Sequence, residues 1–303
     1  MISILIPVFN FDVTELAVEL SNQLENLYSD GEIIILDDGS EPSFRNRHSQ
    51  LSSVPHIQYL ESATNNGRVR IRQKLAAAAA FEWLLFLDCD SKIVSDKFLE
   101  TFSKRINDSA RVITGGRIYT NIPPADCRFR LHWKYGTSRE KSSYDRKKCN
   151  NRFMTNNFMI RKEIFSSLDF TNEWEGYGYE DTWMAIQLES LDIPILFIDN
   201  PVKHDGIETS ELFMSKSREA LQNLYRLTCF VPRDRLKKQV RLYNHFYRIR
   251  LLGMTWLIQL MYGILRSAIR KNLHSCNPSL AAFDFYRLYY FSTIVKKEKQ
   301  KSP

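Results

Sequence analysis

The sequence lacks the patterns that mark several common protein classes. Its five cysteines include no C-x-x-C pair, so nothing indicates a zinc site or a dithiol redox centre. The first βα turn, over residues 7–12, has no G-x-G-x-x-G, which disfavours a dinucleotide oxidoreductase. Residues 1–7 carry no basic leader followed by a cleavage site, so we expect no signal peptide. Together with the odd, scattered cysteines, this predicts a protein of the reducing cytoplasm.

Composition excludes disordered and fibrous classes, and the charge is distributed unevenly. The 303 residues are 44% hydrophobic and 25% charged, as in ordinary globular proteins. Residues 233–303 hold 15 Lys and Arg against 3 Asp and Glu, whereas residues 1–232 hold 27 against 32. The net charge of +7 therefore comes from the C-terminal quarter.

Hydrophobic patterning predicts an α/β domain over residues 1–205 and a helical region over 206–303. Short β-branched runs alternate with amphipathic stretches, which indicates βα units and a mostly parallel sheet flanked by helices. Predicted strands lie at 2–8, 32–36, 57–60, 83–87, 111–118 and 193–198, and predicted helices at 13–28, 68–81 and 97–106. Residues 123–152 are polar and basic, which predicts a loop excursion. We divide this domain into two halves, at about 1–118 and about 119–205.

One segment of the helical region favours contact with a membrane surface. Residues 251–265 carry no charge, but at about 1.5 Å per residue they span only about 22 Å, short of a hydrocarbon core of about 30 Å. Arginines and a lysine flank the segment, as in interfacial amphipathic helices. Packing of the same apolar face on the α/β domain is the alternative. The basic, aromatic tail could also bind nucleic acid, but no nucleic-acid-binding motif accompanies it, and we expect none bound.

Carboxylates follow two of the predicted strands directly. Asp88 and Asp90 come after the run 83–87, and Asp37 and Asp38 come after the run 32–36. Because the carboxyl ends of parallel strands meet at one edge of a sheet, both pairs can face one cleft. Oxygen ligands suit Mg²⁺ or Mn²⁺ bound to a diphosphate, whereas Asp37 and Asp38 can accept hydrogen bonds from a nucleoside. A simple turn is the alternative for each pair.

These motifs, in this order, resemble those of the inverting family 2 glycosyltransferases with the GT-A fold. The resemblance covers about residues 1–205 and implies a nucleotide-sugar donor. It implies that the half at about 1–118 binds the nucleotide-sugar and the half at about 119–205 binds the acceptor. By that match, Pro7 and Phe9 line the nucleotide pocket, Asp38 contacts the base and Asp37 supports it. Residues 65–73 are similar to the family segment that places an arginine near the donor, here Arg72. Asp88 would lie near the ribose and sugar. Asp90 would be the direct metal ligand.

The resemblance also implies roles for residues further along the chain. Residues 174–181 resemble the Gly-rich Glu-Asp element of galactosyl- and N-acetylhexosaminyltransferases, with Asp181 as the base and Glu180 as a hydrogen-bonding partner of a sugar. A helix N-terminus at this pair is a compatible alternative. The glycines would let the backbone approach the sugar. His204 takes the position of a histidine metal ligand. The predicted acceptor-binding residues are Asn156, Trp174, Tyr177 and Tyr179.

The function implied is metal-dependent, inverting sugar transfer. The donor would be a nucleotide-diphospho sugar, with UDP as the expected nucleotide, and the cofactor Mn²⁺ or Mg²⁺. The acceptor would be a hydroxyl of a glycan or glycolipid in cell-surface polysaccharide synthesis. We expect a peripheral protein at the inner face of the plasma membrane. The alternative is a non-catalytic GT-A-like protein, or a basic protein that binds nucleic acid or membrane.

Overall fold

The computed structural model describes residues 1–27, 30–106, 109–142, 153–170 and 176–301. Short 3₁₀ helices occur at Ser49–Ser53 and Cys127–Phe129, and a π-helical turn at Gly136–Glu140. In chain order the other elements are β1 (Ile2–Val8), α1 (Thr14–Glu25), β2 (Gly31–Asp37), α2 (Pro42–His48), β3 (Ile57–Glu61), α3 (Gly67–Ala78), β4 (Trp83–Leu87), β5 (Ser91–Lys92), α4 (Phe98–Ser103), β6 (Val112–Thr114), β7 (Arg117–Ile118), α5 (Arg130–Tyr135), β8 (Asn157–Arg161), α6 (Lys162–Ser167), α7 (Glu180–Ser190), β9 (Ile195–Phe197), β10 (Val202–His204), α8 (Ser210–Phe230), α9 (Arg233–Gln239), α10 (Arg241–Leu251), α11 (Thr255–Leu273) and α12 (Leu280–Lys301).

A mostly parallel seven-stranded sheet confirms the predicted fold class. Its strand order is β3-β2-β1-β4-β8-β6-β9, and only β8 runs antiparallel to its neighbours. The central strands are continuous apolar runs because helices cover both faces of such a sheet. In α1, Leu16, Leu20 and Leu24 recur at helical spacing and are buried in this core.

The order of the strands places a crevice at the ends of β1, β2 and β4. The chain passes from β1 to β2 on one side and reaches β4 on the other, so the connections diverge at β1. Ligands bind at such switch points, outside the carboxyl ends of the strands. Val8 pairs with Asp37 in the parallel register, so the residues after β1 and β2 lie at the same edge.

The strand predicted over 111–118 is wrong in its continuity. It breaks at Gly115 and Gly116 into β6 and β7, which belong to different sheets. A Cβ at Gly115 would lie 2.3 Å from the carbonyl oxygen of Asn200, and Gly116 has a φ of +80°. Only glycine fits this bend. It frees β7 to join a three-stranded sheet of order β5-β10-β7.

The described chain divides into two compact units. The first lies within Met1–Tyr119, Glu140–Asn172 and Gln187–Gly206, and the second within Thr120–Arg139, Glu173–Ile186 and Ile207–Pro303. After residue 206 the described secondary structure is entirely helical, as predicted. Within the second unit, α8 and α12 supply much of the apolar core, with α10 and α11 packed on α12.

Two predictions about the middle of the chain need correction. Residues 123–142 are not a plain loop excursion, since α5 buries Leu131 within the core of the second unit. The cysteines were expected to be reduced, but Cys127 and Cys276 form a disulfide within that unit. Disulfides are typical of oxidising compartments. Cys89 and Cys229 are free thiols, and Cys149 lies outside the described residues.

Candidate active site

The turn after β2 binds the start of α3 through a buried carboxylate. Asp38 Oδ1 accepts hydrogen bonds from Asn66 N at 2.8 Å and Asn66 Nδ2 at 2.7 Å, and Asp38 Oδ2 accepts one from Gly67 N at 2.9 Å. Asp37 Oδ1 accepts a hydrogen bond from Ser40 N at 2.7 Å. Its Oδ2 is buried and has no hydrogen-bond partner in the part of the chain that the structure describes. Both predicted nucleoside-binding carboxylates therefore also shape the turn.

The loop after β1 lies beside that turn. Asn10 N donates a hydrogen bond to Ser40 Oγ at 2.8 Å, and Asn10 Oδ1 accepts one from Glu41 N at 2.8 Å. Pro7 is half-buried at the end of β1, and the ring of Phe9 is exposed. An exposed aromatic ring at the switch point offers a flat face on which a nucleobase can stack. The structure thus places Pro7 and Phe9 at the predicted edge.

Asp88 is held between two arginines. Arg72, on α3, donates from Nη2 to Asp88 Oδ1 at 2.5 Å, and Arg117, on β7, donates from Nη2 to Asp88 Oδ2 at 3.4 Å. Sequence reasoning found Arg72 but missed Arg117, because no local motif marks an arginine that a distant strand delivers. Guanidinium groups on both oxygens therefore hold the Asp88 side chain in position. Burial raises the pKa of the neighbouring Cys89 thiol to about 12, so that thiol is not a nucleophile near neutral pH.

Arg117 belongs to a buried network of its own. Its Nη1 lies 3.4 Å from Glu140 Oε2 and 3.3 Å from the Tyr119 hydroxyl, which in turn donates a hydrogen bond to Glu140. Burial alone would lower the pKa of the Arg117 guanidinium, but Tyr119, Glu140, Asp90 and Asp88 raise it well above its ordinary value. A permanently charged donor therefore stands beside both carboxylates of the Asp-x-Asp motif.

The three-stranded sheet brings the two predicted metal ligands together. β10 pairs with β5 so that His204 lies opposite Ser91, and His204 Nδ1 lies 3.2 Å from Asp90 Oδ1. Their side chains are 5% and 21% exposed, so each is sheltered but Asp90 can still be reached. Burial raises the pKa of Asp90, but the hydrogen bond and charge of His204, together with Arg117, outweigh it and lower the pKa overall. The carboxylate is therefore ionised at neutral pH.

The donor set at Asp90 and His204 fits a divalent cation that also binds substrate. A carboxylate oxygen and an imidazole nitrogen suit Mn²⁺, and Mg²⁺ takes one or two carboxylates with substrate phosphates. A Cβ on Gly206 would lie 2.6 Å from Asp90 Oδ2, so the glycine leaves space at the carboxylate. Among the described residues, no three His, Cys, Asp or Glu side chains form a metal cluster. The remaining ligands would have to come from water or a diphosphate.

Asn156 lies next to Asp88 in the first unit. Its carbonyl oxygen accepts a hydrogen bond from Asp88 N at 3.0 Å. The side chain is buried, and neither its Oδ1 nor its Nδ2 has a hydrogen-bond partner in the described parts of the chain. A buried amide without partners costs free energy, and a ligand hydroxyl can supply the missing hydrogen bonds. The structure thus places the predicted sugar-binding amide next to Asp88, buried and with both polar atoms unsatisfied within the described residues.

Glu180 and Asp181 begin helix α7 in the second unit. Glu180 is buried and Asp181 is half-buried. Asp181 Oδ1 accepts hydrogen bonds from Thr182 N at 2.6 Å and Thr182 Oγ1 at 3.3 Å. The helix N-terminus given as the alternative is therefore present. It is compatible with a proton-accepting role, because a carboxylate is stabilised there by the helix dipole.

The glycines before this pair have a structural reason that the sequence did not reveal. Gly176 and Gly178 have φ values of +71° and +94°. A Cβ would lie 2.1 Å from Glu219 Oε1 at the first and 2.5 Å from Ala220 Cβ at the second. Tyr177 N donates a hydrogen bond to Glu219 Oε1 at 2.8 Å. The glycines therefore allow close packing on α8, whereas the sequence analysis assigned them to sugar contact.

The predicted acceptor-binding aromatic residues have different surroundings. The Tyr177 ring lies 5.4 Å from Lys216 Nζ. Tyr179, at φ +66°, packs against the helical core, and its hydroxyl accepts a hydrogen bond from Arg287 Nη2 at 3.1 Å. Trp174 lies outside the described residues. Both described rings are half-buried, and Tyr179 packs against the helical core of the second unit.

Comparisons with known proteins identify the family. The mannosyltransferase PcManGT from Pyrobaculum calidifontis, solved with GDP-Man and Mn²⁺, superposes with a TM-score of 0.54 at 10% identity, over 99% of this chain and 88% of that one. Glucosyl-3-phosphoglycerate synthase from Mycobacterium tuberculosis, solved with Mn²⁺, UDP-Glc and phosphoglyceric acid, gives 0.54 at 17% identity, over 77% and 80%. These likenesses support the fold alone. No curated protein sequence matches the chain. The profile of glycosyl transferase family 2 matches residues 3–168, more than half of the chain. The protein is therefore a glycosyltransferase that belongs to glycosyl transferase family 2.

Proposed function

We propose that this enzyme moves a sugar, with inversion, from a nucleotide-diphospho donor, a UDP-sugar in the simplest case, to a hydroxyl of an acceptor. The observation that carries the proposal is the meeting of Asp88, Asp90 and His204 with the Asp37–Asp38 turn at the switch point of the sheet. That arrangement suits a diphosphate with a cation at one end and a nucleoside at the other.

On the donor side, different residues of the first unit contact the nucleoside, the sugar and the metal. The nucleoside lies against Pro7, Phe9 and the Asp37–Asp38 turn. Arg72 and Arg117 hold Asp88 towards the ribose and sugar, and their charge offsets that of the diphosphate. Asp90 and His204 would hold Mn²⁺ or Mg²⁺, which when bound stabilises the charge on the leaving diphosphate. Support comes from the two solved proteins of this fold, which were solved in complex with Mn²⁺ and either GDP-Man or UDP-Glc.

On the acceptor side, inversion requires a base opposite the leaving group. Asp181 takes the proton of the acceptor hydroxyl as that oxygen attacks the anomeric carbon, and Glu180 hydrogen-bonds a sugar. Asn156, Trp174, Tyr177 and Tyr179 bind the acceptor. This assignment rests on the resemblance of residues 174–181 to the Glu-Asp element of related transferases.

The acceptor we propose is a glycan or glycolipid in cell-surface polysaccharide synthesis, used at the inner face of the plasma membrane. The support is the excess of 12 positive charges in residues 233–303, because anionic headgroups attract such segments. The disulfide between Cys127 and Cys276 would be reduced in the cytoplasm. Counting free thiols in protein quenched inside cells therefore tests the compartment directly.

The experiment that tests the function is nucleotide release from a panel of UDP-, GDP- and dTDP-sugars, with Mn²⁺, with Mg²⁺ and with EDTA. We expect one donor to turn over only with metal, and NMR of the product to show the inverted anomer. Asp90→Asn and Asp181→Asn should each lower turnover by at least about a hundredfold without a change in melting temperature. The exposed Asp192→Asn is the matched control. Full turnover in both test variants would refute the mechanism.

A further inference from the structure

Exposed apolar side chains are concentrated in one short part of the second unit. Of the sixteen large hydrophobic side chains that are exposed in the described chain, eight fall within residues 251–265. Leu252 is 72% exposed, Trp256 62% and Ile264 74%. The other five are Leu251, Met254, Leu260, Met261 and Leu265. We call this set the apolar elbow. Apolar patches of this density mark interaction sites in soluble proteins.

The elbow is not the inner face of a helix that packs elsewhere in its unit. The inner stripe of α11 is a different one, and it consists of Ile258, Tyr262, Ile269 and Leu273. Tyr262 stacks on Tyr289 of α12 with ring centroids 3.8 Å apart, and Gln259 Nε2 donates a hydrogen bond to Ser292 Oγ at 2.6 Å. Only the inner stripe of α11 thus packs in the core of the unit. The apolar side chains on its outer face make no contribution to that core.

The geometry of the elbow favours a position on a bilayer rather than across it. Within the described residues no single helix is long and apolar enough to span, although α10 and α11 pass that test together with a bend of 113° between them. The contacts with α12 hold the inner stripe of α11 against protein along its length. One face of α11 therefore remains for lipid, as in interfacial helices.

Positive charge surrounds the elbow. Arg248 and Arg250 lie in the last turn of α10, and Arg266, Arg270 and Lys271 follow the apolar part of α11. An apolar face bordered by arginine and lysine complements an anionic bilayer, in which acyl chains lie below a negatively charged surface.

A cavity of about 700 Å³ opens beside the elbow. Tyr243 and Tyr247 line its wall, with Arg233, Arg250 and Lys299 around them and Leu251 of the elbow at its border. No acidic side chain lines it in the described part of the chain. The Arg233 guanidinium lies 5.0 Å from the Tyr247 ring centroid and donates a hydrogen bond to its hydroxyl at 2.9 Å. Guanidinium groups hydrogen-bond phosphate oxygens, and the aromatic wall offers an apolar face to the adjoining part of a lipid.

We propose that the apolar elbow inserts into the interface of an anionic phospholipid bilayer, and that the cavity beside it takes the phosphate of one anionic lipid. The elbow supplies apolar contact, the flanking cations supply selectivity for negative charge, and Leu251 belongs to both. This inference rests on the membrane-surface location given under the proposed function. It can fail while the transfer reaction stands, because lipid binding is measured without a sugar donor.

The first experiment measures sedimentation of the full chain with vesicles of phosphatidylcholine alone and of equal parts phosphatidylcholine and phosphatidylglycerol. We expect binding to the anionic vesicles that weakens as salt rises. The double variant Leu252→Glu/Trp256→Glu should bind at least about tenfold more weakly. Ile122→Glu, at a position 77% exposed in the same unit, is the matched control and should bind like the wild type.

Trp256 also reports insertion directly. The fluorescence of Trp256 is the part of the emission that Trp256→Phe lacks. Lipids with a quencher on the acyl chain should quench this fluorescence, and a quencher in the buffer should not. Circular dichroism of each variant is the control that tests whether its helices are intact. Quenching only from the buffer side in the presence of anionic vesicles would overturn insertion of the elbow.

The second experiment tests the cavity. Arg250→Glu should weaken binding to the anionic vesicles by about tenfold or more, and the exposed Lys97→Glu of the first unit should not. Inorganic phosphate, compared with chloride at equal ionic strength, should not release the protein from vesicles. If phosphate alone releases it, the cavity is a site for free phosphate and the lipid assignment is wrong. Equal effects of both substitutions would also remove the cavity from the proposal.

Three further outcomes would overturn the whole proposal. The first is no binding of the wild type to anionic vesicles. The second is binding to an oligonucleotide that excludes vesicles, which would assign the basic surface to nucleic acid. The third is a dimer in vesicle-free buffer that Leu252→Glu/Trp256→Glu converts to monomer with no change in vesicle binding.

Discussion

Replacing Gly206 by alanine should displace the carboxylate that we assign to the metal. The new Cβ would lie 2.6 Å from Asp90 Oδ2 and 2.8 Å from Asp90 Cβ, whereas ordinary contacts begin at 3.4 Å. The backbone cannot easily move away, because Asp205 N donates a hydrogen bond to the Asp90 carbonyl at 2.9 Å. The carboxylate must therefore shift by about 1 Å, enough to lower a site's function by about tenfold to a hundredfold.

The effect can be measured without catalysis as binding of Mn²⁺ in the presence of UDP. Loss of the free-ion signal in electron paramagnetic resonance monitors that binding. We expect Gly206→Ala to weaken Mn²⁺ binding by about tenfold or more and to lower turnover in parallel, with an unchanged melting temperature. Gly263→Ala is the control, since a Cβ there meets nothing within 4 Å. Wild-type Mn²⁺ affinity in a folded Gly206→Ala protein would refute the assignment of Asp90.

Three other substitutions test the framework around the site. Burial lowers the pKa of His48, and His48 Nε2 accepts a hydrogen bond from Val13 N at 3.3 Å. At this histidine the unfolded chain therefore binds a proton more readily than the folded one. The free energy of unfolding should therefore fall as pH drops below about 6.5. In urea titrations His48→Gln should flatten that pH dependence, whereas the exposed His245→Gln should leave the dependence unchanged. Cys276→Ser should lower the free energy of unfolding by about 2–4 kcal/mol in oxidised protein, and an unchanged melting temperature would mean that the pair is not bonded. Arg117→Met leaves buried carboxylates short of a cation and should cost about 3 kcal/mol; it should also raise the KM for the donor, and a wild-type KM would contradict the role of the arginine.

Elements that local pattern determines were predicted well. The apolar runs of β1, β2 and β4 have the length and composition of buried parallel strands, and the helices between them have helical spacing of apolar residues. Carboxylates that directly follow such strands must lie at one edge, so Asp37, Asp38, Asp88 and Asp90 could be located from the sequence. The family resemblance added His204, which pattern alone would not have selected.

The missed features depend on contacts between residues far apart in the chain. Arg117 reaches Asp88 only because the chain bends at Gly115–Gly116, and a periodic pattern over 111–118 does not reveal that bend. The partner of Cys127 is likewise decided by packing within the helical unit. Register within a two-residue strand such as β5 is beyond pattern analysis, although it is what sets His204 beside Asp90.

The structure also divides the roles of the two carboxylates in the Asp-x-Asp motif. Asp88 has a guanidinium on each oxygen, so its charge is balanced by the protein and a metal ion there would meet two cations. Asp90 has the His204 imidazole at 3.2 Å, a nitrogen ligand that suits Mn²⁺ beside a carboxylate. We therefore propose that the cation binds at Asp90 and that Asp88 orients the sugar. Asp88→Asn would leave Arg72 and Arg117 without the charge of Asp88, so this variant should have a lower free energy of unfolding than Asp90→Asn. The main effect of Asp90→Asn should be weaker metal binding.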